Sequence, residues 1–117
     1  MNDFRVSTEI HPPFTVINVY GELDIATEPE LRRRVEGILD HPTARLLFDL
    51  SDVEFLDSTG LQIIFDTYVR LGRGHRVAVC GLSPRVKKVF DALGLSDEID
   101  IYADCVDAFS HPDAGLS

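Results

Sequence analysis

The stretch Ala44–Ile64, ARLLFDLSDVEFLDSTGLQII, decides the fold class of this chain of 117 residues. It begins with a nearly continuous apolar run, Ala44–Leu50, which predicts a central strand covered on both faces. The acid-rich segment Ser51–Asp57 is predicted to be a short loop, and a helix begins near Ser58. A buried strand followed, after a short loop, by an amphipathic helix indicates an α/β domain.

Upstream of this stretch, the sequence predicts a hairpin. Phe4–Glu9 and Phe14–Tyr20 have the composition of strands, the turn His11-Pro12-Pro13 separates them, and Gly21 ends the second strand. A helix follows, with a capping box in which Thr27 caps the first turn and Glu30 reaches back. His41-Pro42 is predicted to end this helix.

Downstream, strands and helices continue to alternate. The helix from Ser58 ends at Gly72–Gly74, and Val77–Cys80 is a second buried strand. Ser83 and Pro84 begin another helix, Ile99–Tyr102 is a last short strand, and a short helix spans Asp104–Phe109. The apolar stripe of the helix from Ser58 is predicted to contain Leu61, Ile64, Phe65, Tyr68 and Leu71.

This order predicts a mixed, mostly parallel sheet of four to five strands, with an N-terminal antiparallel hairpin and about four helices. The parallel units should have right-handed crossovers. Residues 1–110 are expected to form one domain, because the length suits a single core and 44% of the residues are hydrophobic. Residues 111–117 are expected to be a flexible tail.

Composition also limits the partners. The net charge is −9 and the pI is about 4.7, so we expect no binding to nucleic acid, which requires clustered Lys and Arg. The charge suits a partner with a basic face, or it serves only solubility. The apolar stretches are too short to span a membrane, and the N-terminus lacks the pattern of a signal peptide. The expected location is the cytoplasm and the default state is a monomer.

The two cysteines, Cys80 and Cys105, are too few for a disulfide scaffold, and their spacing fits no zinc motif. Cys80 ends an apolar run and is most simply a buried small side chain. The sequence is compatible with an exposed Cys105. A redox pair of Cys80 and Cys105 stays an alternative.

The segment Asp57-Ser58-Thr59-Gly60 has two interpretations. It suits the N-cap of a helix, because Asp, Ser and Thr all favour that position. It also places a hydroxyl at a helix start on the edge of the sheet, where partners meet open α/β domains. The nearby acids Asp52, Glu54 and Asp57 would crowd a phosphate on Ser58 with like charge, which suits a modification that disrupts an interface.

Enzymatic alternatives fit the sequence poorly. An aspartic protease would need Asp-Ser/Thr-Gly on an all-β fold, and a serine hydrolase would need a G-x-S-x-G elbow and a placed His. A receiver domain would use Asp49 or Asp57 as phosphoacceptor, but it needs a pair of acids after its first strand and a late Lys. No phosphate loop is present. We therefore expect neither catalytic residues nor a cofactor or metal.

Five segments form a recognisable set of motifs: Gly21-Glu22-Leu23-Asp24, Phe48–Ser51, Phe55–Leu61, Val79–Phe90 and Leu93-Gly94-Leu95. Together they resemble the bacterial anti-sigma factor antagonists, which define the STAS domain. The resemblance extends from Phe4 to Phe109, and its combination of motifs at this spacing is specific.

The resemblance implies a STAS fold and a regulatory protein that catalyses nothing. It implies that the unphosphorylated protein binds an anti-sigma factor serine kinase and so frees the sigma factor. The kinase would phosphorylate Ser58, which would end binding, and a metal-dependent phosphatase would reverse the modification. Gln62 departs from many relatives, which have Gly there. The resemblance assigns partner contacts to Asp24, Asp57, Ser58, Thr59, Gly60, Leu61 and Gln62.

Two alternatives remain open within the same family. One is a scaffold or sensor domain of a stress-signalling assembly or a transporter tail. The other is a module that binds a small molecule such as a nucleotide, for which the sequence offers no phosphate loop.

Overall fold

The structure is a computed structural model that describes residues 4–40, 45–71 and 76–111. Within these ranges, five strands form one sheet in chain order, together with four α-helices and one 3-10 turn at Leu95–Asp97. The strands are β1 (Arg5–His11), β2 (Phe14–Leu23), β3 (Arg45–Leu56), β4 (Val77–Cys80) and β5 (Asp100–Tyr102). The helices are α1 (Glu28–Leu39), α2 (Ser58–Leu71), α3 (Pro84–Ala92) and α4 (Cys105–Ser110).

The sheet is mixed, as the sequence predicts. β1 and β2 pair antiparallel across the turn that contains Pro12 and Pro13, whereas β2, β3, β4 and β5 are parallel neighbours. The predicted fold class, a mostly parallel sheet with an N-terminal hairpin and four helices, is therefore confirmed. In the ranges that the structure describes, no helix combines the length and the apolar character needed to cross a bilayer.

The central pair of strands is longer than predicted. β2 continues past Gly21, and the acid-rich segment predicted as a loop is the second half of β3. In this extension, Gly21 pairs with Val53 and Leu23 pairs with Leu56. The register of the β2–β3 pair shifts twice, between Asn18 and Tyr20 and between Gly21 and Glu22. The prediction was wrong because this half of β3 is mostly exposed and so lacks an apolar run. β4 pairs with β3 only as far as Asp49, so the end of the β2–β3 ribbon projects beyond β4.

The helices cover the two faces of the sheet unequally. α1, α2 and α3 pack on one face, where the main core includes the fully buried Leu31, Ile64 and Phe90. The other face carries a smaller cluster, which includes Phe14 of β2 and Ala108 of α4. The main core thus fixes three helices, while α4 alone among the described helices packs on the second face.

The buried face of α2 is rotated slightly from the predicted one. Leu61 and Ile64 are buried as predicted, but Phe65 is 40% exposed and Ile63 is buried in its place. The prediction was wrong at Phe65 because that position lies at the edge of the buried face, which also contains Thr67. The predicted helix ends at residues 41–42 and 72–74, and the tail from residue 112, lie outside the described residues.

Cys80 and Cys105 form a disulfide, with their Cα atoms 5.5 Å apart. Cys80 is fully buried, as expected of a small apolar side chain. That interpretation was incomplete, because the structure supports the pairing that the sequence left as an alternative. The spacing of 25 residues gives no hint of it, since the pair forms only when α4 folds back onto the end of β4.

Candidate functional site

The predicted site lies where the β2–β3 ribbon meets α2. The amide of Asp57 donates to the carbonyl oxygen of Leu23 at 3.3 Å, which ties the residue before α2 to the last residue of β2. Asp24 follows Leu23 directly, so the structure brings Asp24 and the start of α2 to the same corner of the molecule. The carboxyl ends of β2 and β3 form this corner.

Gly60 allows this close approach of α2 to β2. A Cβ atom at Gly60 would lie 2.7 Å from Cγ of Leu23 and 3.1 Å from its carbonyl oxygen. These distances are shorter than ordinary contacts, so any side chain there would push α2 away from β2. Gly60 is buried, and it therefore shapes the site by packing rather than by surface contact.

Asp57 caps α2. Its Oδ1 accepts hydrogen bonds from the amides of Thr59 at 2.9 Å and Gly60 at 3.1 Å, and its carbonyl oxygen accepts from the amide of Leu61 at 3.1 Å. These bonds satisfy amides in the first turn, which have no partner inside the helix. The sequence left the cap to Asp57, Ser58 or Thr59, and the geometry gives it to Asp57.

Ser58 is the first residue of α2, and it is exposed. Its hydroxyl makes no hydrogen bond to any residue in the described ranges. The helix cap and the exposed hydroxyl therefore lie at neighbouring residues. The carboxylate of Asp57 caps α2, and Ser58 is left exposed.

Asp24 organises the turn between β2 and α1. Its Oδ1 accepts from the amides of Ala26 at 2.9 Å and Thr27 at 3.1 Å. The predicted capping box is wrong: Thr27 occupies the N-cap position, but its side chain makes no capping bond. Its hydroxyl instead donates to the carbonyl oxygen of Glu22 at 2.7 Å and accepts from the amide of Asp24 at 3.0 Å. Asp24, rather than Glu30, thus supports the start of α1.

The remaining residues predicted to contact a partner differ in how exposed they are. Leu61 is 3% exposed and belongs to the main core, so it holds the start of α2 against the sheet by packing. Thr59 is half-buried, and Gln62 is exposed, with its side-chain amide donating to Asp66 at 2.8 Å. Asp66 also forms an ion pair of 3.2 Å with Arg32, which joins α2 to α1.

Arg32 holds the polar link between α1 and α2. Its guanidinium also donates to Glu28, one turn earlier in α1. The hydrogen bond to Glu28, supported by the one to Asp66, raises the pKa of Arg32 above its ordinary value. A guanidinium is charged at every physiological pH, and these two carboxylates hold that charge between α1 and α2.

Two exposed apolar side chains flank the site, and the sequence analysis did not single them out. Ile25 is 77% exposed in the turn after Asp24, and Phe55 is 48% exposed near the end of β3. The available signal was a large apolar side chain next to an acid, after Asp24 for Ile25 and after Glu54 for Phe55. Together with the nearby acids, these side chains give the corner a surface that is both apolar and acidic.

Comparisons with known proteins agree with this architecture. The model of the STAS domain family matches residues 5–108. The chain is 35% identical over 88 residues to the anti-sigma-B factor antagonist of Bacillus subtilis, covering 74% of this chain and 80% of the relative. It is 31% identical over 96 residues to the anti-sigma-B factor antagonist of Staphylococcus epidermidis, covering 81% and 89%. The crystal structure of an anti-sigma factor antagonist from Mycobacterium paratuberculosis superposes with a TM-score of 0.84 at 30% identity, covering 92% of each chain. This protein therefore belongs to the STAS domain family.

Proposed function

We propose that this protein is an anti-sigma factor antagonist that works as a phosphorylation switch at Ser58. In the unmodified state it binds an anti-sigma factor that is also a serine kinase, and the phosphorylated state releases that partner. The names of the relatives support the class of function. The observation that carries the switch is the exposed hydroxyl of Ser58, which the capping carboxylate of Asp57 leaves without a structural role.

The same cap explains why phosphorylation should disrupt binding. A phosphate at a helix start is normally stabilised by free amides and by the helix dipole. Here Asp57 already occupies the amides of Thr59 and Gly60. A phosphate on Ser58 would bring about −1.5 to −2 charges next to this carboxylate. Like charge in a closely packed interface costs several kcal/mol, and ~3–4 kcal/mol corresponds to a loss of affinity of a few hundredfold or more.

The proposed docking surface combines polar and apolar side chains of this corner. The half-buried Asp24 and Thr59 and the exposed Gln62 supply polar groups, while Ile25 and Phe55 offer exposed apolar anchors. Interfaces use such anchors for affinity and complementary charge for specificity and association rate. The partner should therefore present apolar pockets, with basic groups at the rim of the interface and none opposite Ser58. Asp57, Gly60 and Leu61 belong to the proposed site as the residues that hold its shape.

In this proposal, the partner proteins catalyse both the phosphorylation and the dephosphorylation of Ser58. The anti-sigma factor kinase would transfer the γ-phosphoryl group of ATP to Oγ of Ser58, and a metal-dependent phosphatase would hydrolyse the phosphoserine. This chain would act in the cytoplasm as a monomer, as a regulator and not as an enzyme.

The test is to incubate the full chain with a candidate anti-sigma factor kinase and ATP and to map the phosphate by mass spectrometry. The phosphate should lie on Ser58, and the phosphorylated protein should bind the kinase a few hundredfold more weakly in calorimetric titration. Ser58→Ala is the control: it should bind but accept no phosphate. Phosphate on Thr59, or equal binding by both forms, would contradict the proposal. A parallel titration with nucleotides tests the small-molecule alternative.

A further inference from the structure

α4 is an anchored helix of only six residues. Isolated helices of this length are unstable in water, so α4 depends on its contacts with the sheet. Its buried side chain is Ala108, and Val106 is 71% exposed. The apolar contact with the sheet is therefore small, and other links must hold α4 in place.

Two such links lie near opposite ends of α4. Near its C-terminal end, the ring of Phe109 stacks on His11 of β1, with ring centroids 3.6 Å apart. At its N-terminal end, the disulfide joins Cys105, the first residue of α4, to Cys80, the last residue of β4. Apart from the main chain that joins β5 to α4, the disulfide is the only covalent link between α4 and the sheet in the described residues.

We propose that Cys80 and Cys105 are a reversible dithiol–disulfide pair whose oxidation fastens α4 to the second face of the sheet. In the reduced form, α4 keeps its main-chain connection to β5, the ring stack and the burial of a few side chains. It should then leave the sheet more often and uncover the cluster that contains Phe14 and Tyr102. This inference does not depend on Ser58 or on the identity of the partner.

The two sulfurs differ in their accessibility to solvent, and this difference determines which sulfur a reducing thiolate attacks first. Cys80 is fully buried and Cys105 is half-buried, so a thiolate of a small dithiol attacks Sγ of Cys105. The bond to Cys80 breaks, and Cys80 leaves as a thiolate that takes up a proton. The second thiol of the reagent then attacks its own sulfur in the mixed disulfide, which releases Cys105 as a thiol and the reagent as a cyclic disulfide. Two electrons and two protons pass to the protein.

Oxidation runs through a peroxide. The thiolate of Cys105 attacks the peroxide oxygen to give a sulfenic acid and, after protonation, one molecule of water. The thiol of Cys80 then attacks the sulfenic sulfur, a second molecule of water leaves, and the disulfide forms. Reducing compartments keep such pairs as thiols, so an oxidant would be the signal that fastens α4.

Asp49 is placed to slow this exchange. One of its carboxylate oxygens lies within 4.8 Å of both sulfurs of the disulfide. Its Oδ1 accepts from the amide of Ser51 at 3.0 Å and from its hydroxyl at 2.6 Å. A carboxylate held at this point repels an incoming thiolate and disfavours the leaving one. Asp49→Asn should therefore speed reduction several-fold, and an unchanged rate would overturn this role of Asp49.

The test uses the full chain, oxidised with hydrogen peroxide or reduced with dithiothreitol. Alkylation followed by mass spectrometry should find no reactive thiol in the oxidised protein and two in the reduced protein. Hydrogen exchange should then follow the amides of Ala108 and His111, which donate to the carbonyl oxygens of Asp104 and Asp107 in α4. These amides should exchange at least about tenfold faster in the reduced protein.

Two variants complete the test. Cys105→Ser should exchange as fast as the reduced protein under both conditions, whereas Val106→Ser, an exposed neighbour that leaves the pair intact, should keep the difference. Two free thiols after peroxide treatment would overturn the proposal. Equal exchange of α4 in the oxidised and reduced proteins would overturn it as well.

Discussion

Two serines stand at helix starts in this molecule, and they use their hydroxyls differently. Ser83 is the N-cap of α3, and its Oγ accepts a hydrogen bond from the amide of Val86 at 3.2 Å. Ser58 stands one position later relative to its own helix, because the carboxylate of Asp57 caps α2. A shift of one position therefore decides whether a serine stabilises a helix or presents its hydroxyl to solvent.

The difference shows how the segment Asp57–Gly60 divides its tasks. Asp57 holds the helix start, Ser58 is presented, and Gly60 lets α2 approach Leu23. At α3, the cap is the serine itself and Pro84 occupies the first turn. Because Asp57 occupies the cap position of α2, the hydroxyl of Ser58 is not needed for capping. Substitutions at the two helix starts can test this difference between Ser58 and Ser83.

The largest expected effect is on partner binding. Ser58→Asp should lower the affinity for the anti-sigma factor kinase by about a hundredfold, which is ~3 kcal/mol, because it adds a negative charge beside Asp57. Ser83→Asp adds the same charge at the other helix start and keeps a good cap, so it should bind like the parent protein. Calorimetric titration measures both. Equal losses for the two variants would show that net charge, rather than the position of Ser58, controls binding.

A smaller effect is expected from packing at the start of α2. Gly60→Ala should lower the free energy of unfolding by about 1–2 kcal/mol, because the new Cβ collides with Leu23. Gly37→Ala in α1 is the matched control: its Cβ meets no atom within 4 Å, and the variant should be more stable by about 0.5–1 kcal/mol. Urea denaturation measures both changes. The same sign for the two variants would contradict the close contact at Gly60.

Much of the fold was predictable because apolar periodicity dominates it. The run of buried residues in β3 and the Ser-Pro start of α3 predicted those elements correctly. The lengths of β2 and β3 were not predictable, because their ends are stabilised by pairing with each other and only Leu23 is buried there. The burial of Ile63 in place of Phe65 likewise depends on how α2 is rotated against the sheet.

The site was predictable only in part. The motif identified the segment from Asp57 to Gly60, but nothing in the sequence distinguishes a cap at Asp57 from one at Ser58 or Thr59, since all three residue types favour that position. Asp24 was recognised by resemblance, while its hydrogen bonds to Ala26 and Thr27 depend on the conformation of the turn. Side-chain geometry of this kind follows from the backbone conformation of the turn, which the residue types alone do not determine.

The smallest effects test the comparison most directly, because they separate the cap from the hydroxyl. Asp57→Ala and Ser83→Ala each remove a capping oxygen and should each lower the free energy of unfolding by about 1 kcal/mol. Ser58→Ala removes an exposed hydroxyl without a hydrogen-bond partner in the described residues, so its effect should stay within about 0.5 kcal/mol. Urea denaturation of the three variants under one set of conditions measures this order. A loss at Ser58→Ala equal to that at Asp57→Ala would mean that the hydroxyl of Ser58 shares the cap, and the two serines would then differ in degree and not in kind.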